Sequence, residues 1–235
     1  SRSKKNMCKL TRRQLFLGGS GLLLFGCGDS TTVEQAKDYY PVTLEEYGIN
    51  YVLHWGKNNT IVIDTNASGT PVASQPGIFQ AGSNEWASTL QEIGVNLSYS
   101  STSPDVKVNW LTGDEMLAET GSSGVLGFAS TNKNIYMRTD LTDGDLLSVA
   151  VHEFGHMLGI WSHSFDSNDI MYPYLAASSL SNRDKRTVAD FLYQLTPDYD
   201  MHDLSGPLTL PSTGQTILHI ASYFTEDGCK LQSHS

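Results

Sequence analysis

The chain predicts an α+β domain, and three features of its 235 residues carry that prediction. Short β-rich runs are separated by turn residues; apolar residues recur at helical spacing between and after them; and a stretch near residue 150 is apolar on one helical side only. The resulting order is strands, helix, strands, helix, an apolar turn, helix.

Taken in order, Tyr51-Val52-Leu53-His54-Trp55 and Thr60-Ile61-Val62-Ile63-Asp64 are β-rich segments around a turn at Gly56 to Asn59. Trp86, Leu90 and Ile93 mark a helix from about Ser83 to Ile93. Residues 95–100, 106–111, 125–129 and 134–138 read as four further strands. A second helix carries Leu147, Ala150, Val151, Phe154, Met157 and Leu158, with Asp143 expected as its cap. The last helix begins at Ser181, where Ser181 and Asp184 form a capping-box pattern, and buries Val188, Leu192 and Leu195.

The second helix also carries chemistry. His152 and His156 are four apart, hence one turn apart on one face, and can direct imidazole nitrogens at one metal ion. At about 100° per residue they fall near 0° and 40°, opposite the apolar residues at roughly 140° to 260°. Glu153 stands beside that face, where a carboxylate can take a proton from a zinc-held water. Gly159 allows the positive φ that ends the helix and turns the chain back. His163 then arrives as the third of the three ligands a catalytic zinc needs, with Asp166 as the alternative third ligand. A zinc site completed by a later glutamate is close to excluded, since Glu226 is the only glutamate after Glu153.

Downstream lies Asp169-Ile170-Met171-Tyr172-Pro173. The pattern of three histidines, glycine and methionine turn resembles the metzincin clan of zinc peptidases. Within it, HEFGHMLG, the His163-Ser164 pair and the Ile-Met-Tyr-Pro turn look most like the matrixins, the catalytic domains of matrix metalloproteinases and their bacterial relatives. The resemblance spans about residues 49–196 and implies a twisted, mixed five-stranded sheet with three helices, the active-site helix beneath it. It implies Met171 as the hydrophobic base under the zinc and Pro173 as the start of the substrate-pocket wall. It also implies that the edge strand containing Gly124-Val125-Leu126-Gly127-Phe128-Ala129 pairs with substrate backbone. One position departs from the signature: Ser162 stands where the third histidine belongs, so the loop after Gly159 is one residue longer here. Tyr174 and Leu175 also differ from the usual order after the proline. The structural zinc that matrixins often hold lacks its ligands, because His54 is the only histidine before His152.

The formal charge of −10 argues against nucleic acid as partner, and the six basic residues before Cys27 make the remainder more acidic still. Residues 1–26 read as an export signal, with a twin-arginine-like Thr11-Arg12-Arg13-Gln14 and an apolar run too short to span a membrane. Leu24-Phe25-Gly26-Cys27 resembles a lipobox, so attachment to a membrane through lipid on Cys27 is expected, at the cell envelope facing periplasm or exterior. Residues 27–48 read as a tether, 49–196 as the catalytic domain and 197–235 as a C-terminal tail with no assigned role. Cysteines at 8, 27 and 229 leave no intrachain disulfide after export. Asp140, Asp143 and Asp145 are candidates for calcium, although their spacing does not match a calcium loop.

Taken together, these features point to an exported, monomeric zinc metalloendopeptidase acting on protein or peptide, with zinc on His152, His156 and His163 and Glu153 as general base. Two other readings are a non-catalytic anchored binding module on the same scaffold and a peptidase for cell-wall cross-links.

Overall fold

Strands β4 (Thr60–Ser68), β6 (Val106–Leu111) and β8 (Asn134–Arg138) each bury alternate residues: Ile61 and Ile63, Val106, Val108 and Trp110, Ile135 and Met137. A period of two puts those side chains on one face of a sheet, and that face becomes the core. In the computed structural model, which describes residues 39–46, 49–204 and 220–223, β5 (Asn96–Tyr99), β4, β6 and β8 lie side by side and parallel. Strand β7 (Val125–Ser130) pairs antiparallel with β8, completing the mixed five-stranded sheet. A sixth strand, β10 (Ile220–Tyr223), pairs antiparallel with the outer side of β7. The export signal, Cys27 and the tether up to residue 38 lie outside the described residues.

Two small pairings lie apart from this sheet. β1 (Leu44–Glu46) runs antiparallel to β2 (Ile49–Tyr51), and β3 (Leu53–His54) runs parallel to β9 (Tyr199–Asp200). The two β-rich segments at 51–55 and 60–64 thus join different sheets and do not pair with each other. Residues 40–46, expected within a tether, carry Tyr40, Val42 and Leu44 into the core. Tyr40 and Val42 precede β1 and Leu44 opens it, and burial of three apolar side chains outweighs the polar residues around them.

The helix expected over Ser83–Ile93 is two helices, α1 (Gln75–Asn84) and α2 (Ala87–Glu92). The break between them turns Trp86 inward, where its indole N–H donates to the Val151 carbonyl at 2.9 Å. The start of α1 is hidden in the sequence by Pro76, Gly77 and Gly82. Proline suits a first helical turn, and Gly82 lets the helix approach its neighbour, since a Cβ there would come 2.7 Å from the Ala150 Cβ. That neighbour is α4 (Asp143–Met157), the histidine helix. Helix α3 (Gly113–Thr120), also unexpected, is started by a capping box between Thr112 and Glu115. The cap of α4 is Thr142, whose hydroxyl accepts from the Asp145 amide at 3.3 Å, and not Asp143, which occupies the first turn. The final helix α5 (Asn182–Arg186) has the expected capping box of Ser181 and Asp184, then continues through a wider turn over Thr187–Phe191 and a tighter one over Leu192–Gln194. No helix of the described residues is long and apolar enough to cross a membrane.

Candidate metal centre

Helix α4 is buried almost throughout from Leu146 to Met157, because α1 covers one side and the sheet another. His152, Glu153 and His156 are all buried within it. Beyond Met157 the chain needs to leave the helix sharply. It does so at Gly159, with φ of 110°, a conformation that side chains rarely adopt. A Cβ there would also overlap the Leu53 carbonyl of β3.

The longer loop after Gly159 has a structural use. The Ile160 carbonyl lies 2.6 Å from His156 Nδ1, and Trp161 is buried, its backbone amide donating to the Val42 carbonyl at 3.0 Å. The Ser162 hydroxyl donates to the Thr43 carbonyl at 2.6 Å, away from any metal position. The next residue, His163, then turns back. His152, His156 and His163 each offer a nitrogen, and the three lie within 4.8 Å of one another. Ring centroids are 4.8 Å apart for His152 and His156, 5.3 Å for His152 and His163, and 4.9 Å for His156 and His163.

Whether this set fits zinc turns on tautomer and spacing. His152 Nδ1 lies 2.7 Å from the Ile170 carbonyl and His156 Nδ1 2.6 Å from that of Ile160. A carbonyl only accepts, so each Nδ1 carries the proton and each Nε2 keeps its lone pair. Tetrahedral zinc at about 2.1 Å from nitrogen needs its ligands about 3.4 Å apart, and the three nitrogens here lie no more than 4.8 Å from one another. Burial, with the neighbouring imidazoles second, holds His152 well below the ordinary histidine range. Burial alone lowers His156 to about 4, and burial with the His156 charge lowers His163 to about 3. All three are neutral at physiological pH, the form a metal binds.

Asp166, the alternative third ligand, is elsewhere: its carboxylate is ion-paired with Arg183, which also donates to Asp169 at 2.8 Å. Asp169 accepts further from Ser181 Oγ at 2.7 Å and from Ser164 Oγ. Ser164, next to His163, also donates its amide to the Met171 carbonyl at 2.8 Å. This network, absent from the sequence reading apart from the Ser181 cap, ties the third histidine to the methionine turn. Met171 is buried against Gly155 of α4, and Pro173 is half-buried just beyond. The other described histidines stay apart from the cluster, His54 between the Trp55 and Leu195 carbonyls and His202 edge-on to Trp55. Of the calcium candidates, Asp140 is held by Arg138 at 2.6 Å and Asp145 by the Thr142 hydroxyl at 2.7 Å.

A protein-family model described as matrixin matches residues 55–194. Metalloendoproteinase 2-MMP of Arabidopsis thaliana is 29% identical over 160 residues, an alignment covering 58% of this chain and 40% of that protein. Two solved structures of myroilysin are each 13% identical, with TM-scores of 0.44 and 0.43; they cover 61% and 66% of this chain and 96% and 95% of theirs.

Proposed function

With more than half of its length matched by that family model, the chain belongs to the matrixins, and we propose that it is a zinc-dependent metalloendopeptidase. The observation that carries this reading is the meeting of three histidine nitrogens within 4.8 Å, with a buried glutamate on the helix that supplies two of them, His152 and His156. His152, His156 and His163 would hold the ion, which supplies a Lewis acid there. Glu153 accepts a proton from the attacking water as its oxygen bonds to the scissile carbon, then delivers that proton to the departing amine as the C–N bond breaks. Met171 forms the apolar floor and Pro173 begins the wall of the side-chain pocket. An extended peptide pairs with β7 through its main chain. Export and lipid attachment at Cys27 are part of the proposal and rest on residues 11–27 alone.

Glu153→Gln tests the reading. The variant is expected to bind as much zinc per chain as the parent and to lose casein hydrolysis by about 10²- to 10⁴-fold. Retention of most activity would overturn Glu153 as base, and absence of hydrolysis by the zinc-loaded parent would overturn the peptidase.

A further inference from the structure

The outer side of β7 is occupied by the chain's own tail. Ile220 lies opposite Ala129, Ala221 opposite Phe128, Ser222 opposite Gly127 and Tyr223 opposite Val125, all antiparallel. The inner side of β7 is taken by β8. A strand pairs on two sides only, so any extended peptide that joins this sheet at β7 must displace β10.

The contested place is beside the proposed base. A Cβ at Gly127 would come within 3.0 Å of Glu153 Cγ and 2.8 Å of Val149 Cγ1, so the backbone of β7 passes directly over α4 there. Ser222 sits one strand spacing further out, about 5 Å away. We infer that residues 220–223 act as a tethered competitor of substrate, admitting a peptide to the Glu153 centre only when this strand leaves β7. The inference rests on the peptidase reading. The tail belongs to the same chain, so its pairing with β7 is intramolecular and a free peptide must compete against it. The ladder breaks register between Ser222 and Tyr223, beside Gly127.

The test uses the full, zinc-loaded chain with a site for a sequence-specific protease placed within residues 207–215. If the tail is docked about nine-tenths of the time, cutting and removing it lowers KM for a casein-derived peptide about tenfold and leaves kcat unchanged. Deuterium exchange at the amides of residues 125–129 should rise on cutting, and a synthetic peptide of residues 216–227 should reverse both effects. Ala221→Pro in the uncut chain, which disturbs the ladder, should shift KM the same way. Unchanged KM with unchanged exchange would overturn the inference, as would self-cleavage of the uncut chain within residues 220–223. A chain that hydrolyses nothing, cut or uncut, fails the peptidase reading instead, and the exchange measurement still reports whether the tail docks.

Discussion

Gly155 and Met171 share a space that admits no further atom: a Cβ at 155 would overlap the Met171 sulfur and come 3.1 Å from Trp86 Cζ2. Both neighbours are fully buried. Gly155→Ala gains about 1 kcal/mol of helix propensity and loses about 1–3 kcal/mol by overpacking, so the loss should prevail. The expected result in thermal unfolding is a midpoint lowered by up to about 8 °C. A raised midpoint would show that Met171 can yield.

His163 and Asp166 are separated by their partners, one in the histidine cluster and the other on Arg183. His163→Ala should weaken zinc binding by more than about a hundredfold, beyond the usual effect of losing an outer partner of a ligand. Asp166→Ala should keep full zinc per chain by metal analysis. The opposite pattern would make Asp166 the ligand.

Acid should destabilise the metal-free protein through the same histidines. Unfolded imidazole protonates near 6.5, whereas His156 does so at about 4 and His163 at about 3 when folded, with His152 also well lowered. Below pH 6.5 the unfolded chain therefore binds more protons, and stability falls with falling pH until the folded values are reached. Asp184, raised by burial, acts in the opposite sense, but by one group against three. Denaturant unfolding between pH 7 and 4 should show the decline, and a flat profile would contradict it.

Tyr40 holds the methionine turn from the other end of the chain. Its hydroxyl donates to Asp184 at 2.8 Å; the same carboxylate accepts from the Ile170 amide at 2.9 Å, and the Ile170 carbonyl meets His152. Tyr40→Phe removes a donor from a buried carboxylate and should cost about 1–3 kcal/mol in denaturant unfolding, with faster exchange at the Ile170 amide. An unchanged midpoint would show that the remaining donors suffice.

Local pattern alone determined the histidine helix, the five principal strands, the Ser181 cap and the family resemblance. Spacings of two and 3.6 residues are properties of adjacent residues, and the four-residue gap from His152 to His156 is itself such a spacing. Tertiary structure decided the rest. It brought His163 into the cluster and left Asp166 on Arg183, made Ser162 a partner of Thr43, drew Tyr40, Val42 and Leu44 into the core and set the tail beside β7. Glycines at 82, 127 and 155 each mark a close approach to a distant segment. The physical reason is common to all of these: each depends on contact between segments far apart in the chain, and no periodicity of one segment encodes what another will press against it.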